Sequence, residues 1–66
     1  MLLRVYVSDG EIIVEHILAG FAAIYYKPPG QPQLILRQRT RTDDHELLAK
    51  VWKAATDKAR ELGWIV

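Results

Sequence analysis

Cysteine is absent from this 66-residue chain, so neither a disulfide staple nor a cysteine-ligated zinc can hold it together. The same absence fits a reducing compartment. Serine occurs once, at Ser8, and with no thiol either, the material for a nucleophilic triad is missing. No uncharged apolar run approaches the roughly 18 residues of a membrane span; the longest, Ile17 to Tyr26, stops well short. The apolar start is not expected to serve as a secretory signal, because Arg4, Asp9 and Glu11 interrupt it before a hydrophobic region forms. Surplus charge is lacking too. A net charge of +1 is too small to draw nucleic acid or an anionic membrane over a distance. These absences lead to the expectation of a cytoplasmic protein with no membrane partner.

What is present is apolar. Half of the residues are hydrophobic, which argues for an ordered chain. The length allows one domain, residues 1–66, with a marginal core, because a small chain buries a smaller share of its surface than a large one. Without disulfide or metal, oligomerisation is the remaining common remedy.

The period of the apolar residues changes near residue 41. Before Thr40 they tend to alternate, which places side chains on the two faces of a sheet; from Asp43 to Leu62 they recur every three or four residues, which paints one stripe on a helix. Leu3, Val5 and Val7 alternate up to Asp9-Gly10, a strong hairpin signal. A second strand carries Ile12, Val14 and Leu18 on one face and Glu11, Ile13, Glu15 and Ile17 on the other. Gly20 marks either a turn or a bend within a longer strand. A third strand spans Phe21 to Lys27 and ends at three prolines, Pro28, Pro29 and Pro32, which cannot supply ladder donors; a last strand runs from Gln33 to Thr40. For the helix, Asp43 is the predicted N-cap with Glu46 reaching back, and Gly63 the left-handed C-terminal cap. Trp64, Ile65 and Val66 are too apolar for a free tail and are expected to dock on the domain. The predicted fold is therefore α+β, a three- or four-stranded antiparallel meander packed on one face by a single C-terminal helix.

One helix covers one face. Leu3, Val5, Val7, Ile12, Val14, Leu18, Ile24, Leu34 and Leu36 are expected to meet the helical stripe of Leu48, Val51, Trp52 and Ala55, with Tyr26 on the same inner face. The opposite face would then carry Tyr6, Ile13, Ile17, Phe21 and Ile35 as an interface among charged neighbours, and a contiguous apolar patch of this kind marks a docking surface. A homodimer through that face would also enlarge the core.

Arg37, Arg39 and Arg41 at alternate positions would project from one side of a strand, spaced by roughly 7 Å, and could follow phosphates. Lys27 and Tyr25 would complete a nucleic-acid-binding set on the outer face. Against this stands pairing of the arginines with Glu11 and Glu15, which makes an ordinary solvated face. Asp9, His16, Asp43, Asp44, His45 and Glu46 have no spacing with a metal-binding logic, so no metal, cofactor or small-molecule substrate is expected. His16 reads as a hydrogen-bonded, partly buried side chain, and His45 as solvated.

Three segments together bear a resemblance to a known family: Val5-Tyr6-Val7-Ser8-Asp9-Gly10, Gly20-Phe21-Ala22-Ala23-Ile24, and Thr42 to Ala49 with Glu46. They resemble the first half of a bacterial-type ribonuclease H domain. The resemblance implies metal-dependent nuclease chemistry with Asp9 and Glu46 as two of the metal-binding carboxylates. The chain departs from that pattern in Glu11 to Leu18, where the family has a glycine-rich stretch, and stops before the family's other carboxylates. Two-metal hydrolysis needs several acidic ligands. A more distant likeness to the arm-binding domains of phage-type integrases rests on the basic last strand alone. The reading that follows from the residues is a non-catalytic binding or assembly module, with nucleic-acid binding as its alternative.

Overall fold

The computed structural model describes residues 3–65. Four strands, β1 (Leu3–Ser8), β2 (Glu11–His16), β3 (Phe21–Tyr26) and β4 (Ile35–Arg39), precede one helix, α1 (His45–Glu61). The strands form a single antiparallel sheet in chain order, β1-β2-β3-β4, and α1 lies over β1 and β2. This is the predicted α+β meander with its C-terminal helix.

Each element has a local cause. Asp9 and Gly10 turn β1 into β2 with φ of 51° and 75°, the left-handed pair that a tight two-residue hairpin requires. Gly20 resolves as a turn residue: its φ is 64°, and its N–H donates to the Ile17 carbonyl at 3.3 Å. Ala19 N–H donates to His16 Nδ1 at 3.1 Å, so His16 is half-buried and hydrogen-bonded, as its neighbours predict. The C-terminus of α1 closes as a Schellman motif. Trp64 N–H donates to the Ala59 carbonyl at 2.8 Å and Gly63 N–H to Arg60 at 3.0 Å, with Gly63 at φ 77°. That reversal lays Trp64 and Ile65 against the core; Val66, expected to dock with them, lies outside the described residues.

The N-cap differs from expectation by one residue. Asp44, not Asp43, accepts from Leu47 N–H at 3.0 Å through Oδ1, and Thr42 Oγ1 in turn accepts from Asp44 N–H at 3.1 Å. The Thr42 contact fixes the extended approach and so selects the second aspartate. Asp44→Ala should lower stability by about 1 kcal/mol, read from the urea midpoint, whereas Asp43→Ala should change it little.

The core is built from Ile12, Val14, Phe21, Ala23, Tyr25 and Leu34 of the sheet side and Val51, Ala55 and Ala59 of the helix. Among the described residues no charged side chain is buried, so shape and apolar area specify most of the core.

Three expectations are corrected here. The first concerns β3. Phe21, Ala23 and Tyr25 face the helix, whereas Ala22, Ile24 and Tyr26 face away; Phe21 and Tyr25 are only 4% exposed. The four-residue turn seats Phe21 opposite His16 and Tyr25 opposite Ile12, and a one-residue change of phase moves a whole strand's side chains across the sheet. The second concerns the β2–β3 turn. Ile17 and Leu18 leave the strand for that turn and stand 64% and 77% exposed, so Ile17 is no part of the outer face and Leu18 none of the core. The third concerns α1. Trp52 and Leu62 lie at the edge of the buried stripe, 47% and 40% exposed, while Leu47, Leu48 and Ala54 pack against the core. A helix seated over β1 and β2 leaves its Trp52 edge above β3 and β4, where Leu36 is also 41% exposed.

Candidate binding surfaces

The uncovered face of the sheet is set by the register. Tyr6 stands opposite Ile13 and Ile13 opposite Ile24, with Gln38 next in the same row. In the adjoining row Tyr26 stands opposite Ile35. Tyr6, Ile13, Ile24, Tyr26 and Ile35 are all half-buried, because charged side chains fold over the tyrosines at each end. At one end the Arg4 guanidinium lies 5.0 Å from the Tyr6 ring centre, Tyr6 Oη donates to Glu15 at 3.3 Å, and Arg4 and Glu15 approach to 3.9 Å. At the other, Arg37 lies 4.3 Å over the Tyr26 ring and pairs with Glu11. The face is thus an isoleucine and tyrosine strip between two Arg-Tyr-Glu clusters, and its charges cancel.

The arginine ladder does not form. A β-bulge at the β3–β4 pairing sets Leu36 opposite Tyr25 and Gln38 opposite Ile24, with Arg37 as the extra residue. An extra residue reverses the alternation, so Arg37 reaches the open face while Arg39, opposite Ala23, belongs to the helix side. Arg39 donates to the Thr40 carbonyl at 3.2 Å. Arg41 follows in the loop beyond Thr40, whose N–H donates to Ala22 at 2.8 Å. Lys27 lies at the opposite end of β3, beside Gly10, Gly63 and Trp64. Lys27, Arg37, Arg39 and Arg41 therefore occupy two faces and both ends of the sheet, and the sequence reading that grouped them is corrected. Tyr25, grouped with them as an outer contact, is buried beneath α1 instead.

Tyr25 has its own use. Its ring centre lies 5.6 Å from that of Trp52 at an angle of 53°, a tilted aromatic pair. Burial raises its phenol above the ordinary value of 10.0, opposed by the nearby Arg39 charge. A raised phenol pKa in the folded state contributes stability that is complete below the unfolded value and lost as pH climbs through the folded one. Stability should therefore fall as pH rises above about 10, and Tyr25→Phe should flatten that decline in denaturant titrations. Around Trp52 the chain leaves an apolar cleft of about 400 Å3, lined by Pro32, Gln33, Leu34, Trp52, Thr56 and Ile65. Helical phase alone places Trp52 in the core and carries no sign that the helix sits off centre.

Among the described residues no three histidine, aspartate or glutamate side chains come together in a metal-holding group. Asp9 sits at positive φ in the first hairpin turn and Glu46 in the first turn of α1. His45 is exposed at the start of the helix. No helix among the described residues is long and apolar enough to cross a membrane. No protein-family model, curated protein or solved structure matches the chain.

Proposed function

We propose that the protein is a small non-catalytic assembly module that associates with a second copy of itself through the open face of its sheet. The observation that carries this reading is the Ile13 and Ile24 strip, left uncovered by α1 and bracketed by clusters in which Arg4 is matched by Glu15 and Arg37 by Glu11. An uncovered apolar strip favours contact with another apolar surface, and a balanced charge favours a protein over a polyanion. A face of four strands and six residues spans roughly 20 by 20 Å, about 400 Å2 in plan, beside roughly 800 Å2 per partner in a standard interface. The association is accordingly weak and concentration-dependent. Sedimentation of Ile24→Lys is the test, with an assembled mass half that of the wild type expected and an unchanged mass overturning the proposal.

Nucleic-acid binding is the second reading, supported by Lys27, Arg39 and Arg41, which have no ion pair among the described residues. Three scattered cations neutralise few phosphates, so any affinity would be low and would vanish with modest salt. An oligonucleotide of mixed sequence in the same sedimentation experiment separates the readings: co-sedimentation with a steep salt dependence, reduced in Arg39→Gln with Arg41→Gln, would favour the polyanion.

A further inference from the structure

The two edges of the sheet are not equivalent. β4 is broken by the bulge at Arg37, carries arginines on both faces and follows a loop with three prolines, and each of these discourages another strand from adding to it. β1 has none of them. Its six residues pair with β2 in unbroken register from Leu3–His16 to Ser8–Glu11, it contains no proline, glycine or lysine, and its one charge, Arg4, is turned onto the open face toward Glu15. Among the described residues, the backbone groups of β1 that point away from β2 form a regular row with no hydrogen-bonding strand beside it.

The side chains above that edge are also unfinished. Leu3 and Val5 pack against the core yet stay half-buried, and Val7 is 41% exposed. Beside Leu3 the flank of α1 leaves a shallow cleft of about 270 Å3 lined by Lys50, Lys53, Ala54 and Asp57. Within the chain Lys53 donates to Asp57 at 2.7 Å, and the flank therefore reads basic toward the start of the helix and acidic one turn later.

We infer that β1 is a self-pairing edge: two copies join antiparallel through β1 into one eight-stranded sheet, with both helices on the same side. A two-fold axis normal to the sheet and centred on Val5 lays Leu3 against the second copy's Val7. The same axis sets the two α1 flanks antiparallel, so that the Lys50 and Lys53 end of one meets the Asp57 end of the other. A second copy is the occupant because the edge is apolar on the helix side and its flanking charges complement themselves under that symmetry. Edge pairing does not depend on the open-face association, but it merges two open faces into one of about 800 Å2, the size of a standard interface. With both contacts made, four chains form two stacked sheets.

Amide hydrogen exchange measured residue by residue at increasing protein concentration tests the edge. The β1 amides that do not donate to β2 should gain protection as concentration rises, and β4 amides should not. Lys53→Glu, at a side chain 78% exposed, should weaken edge pairing about threefold, and adding Asp57→Lys should restore it. In the Ile24→Lys background these signatures persist in a species of two chains. Concentration-independent exchange along β1, or protection gained on β4 instead, would overturn the edge. A wild type that stops at two chains and falls to one with Ile24→Lys removes the edge and leaves the face. A pair that ignores Ile24→Lys but weakens with Lys53→Glu does the reverse.

Discussion

Replacing Ile12 with alanine should remove roughly 2 to 4 kcal/mol of stability. Ile12 is fully buried on β2, between Val7 of β1 and Tyr25 of β3 in the ladder, and belongs to the cluster that includes Val51. The lost side-chain atoms forfeit their transfer energy, and a close-packed surrounding relaxes only partly into the space. Set against this, a domain of this length holds about 3 to 10 kcal/mol in all. A single cavity is then comparable to the whole stability at the low end of that range. Thermal melting should show a fall of about 4 to 8 °C for each kcal/mol lost. The contrast is Leu18→Ala, in a turn and 77% exposed, which should stay within about 0.5 kcal/mol of the wild type. Equal effects at the two positions would mean that β2 continues past His16 and that the turn is misplaced.

Ile24→Lys should have the largest effect on association and a small one on folding. Ile24 is half-buried at the centre of the open face, between Ile13 and Gln38, so a lysine there keeps its stem along the sheet and its ammonium in water when the chain is alone. Strand preference costs the monomer under about 1 kcal/mol. When a second sheet covers the face, the ammonium loses its water with no carboxylate spare, since Glu11 and Glu15 are already matched by Arg37 and Arg4. Burying an unpaired charge costs several kcal/mol, and each 1.4 kcal/mol is tenfold in affinity. A weakening of more than about a hundredfold is expected in sedimentation, with circular dichroism unchanged. Lysine at Leu18 is the control, because that side chain lies in the turn.

Much of the architecture was legible because punctuation residues have few alternatives. Asp9-Gly10, the prolines from Pro28 to Pro32 and Gly63 each fixed a boundary within a residue or two of where it falls. The phase of β3 was not legible, because Phe21, Ala23 and Tyr25 are about as apolar as Ala22, Ile24 and Tyr26 and either set could face the helix. Only the length of the β2–β3 turn decides between them, and that depended on whether Gly20 bent a strand or ended a turn. From this one ambiguity came the misplacement of Phe21, Tyr25, Ile24 and Tyr26. The bulge at Arg37 was equally silent, and it dismantles the basic ladder that a regular alternation predicts. The pairing of Arg37 with Glu11, by contrast, was among the alternatives that charge complementarity suggested. The open-face residues Tyr6, Ile13 and Ile35 lie where alternation placed them.

The most direct measurement is the set of methyl resonances of Ile12, Ile13, Ile17, Ile24 and Ile35, followed as the protein is concentrated from micromolar to millimolar. Ile13, Ile24 and Ile35 should move together along one saturating curve while Ile17, in its exposed turn, and Ile12, in the core, hold still. Open-face signals that keep their positions throughout that range, or movement confined to Ile17, would contradict the account.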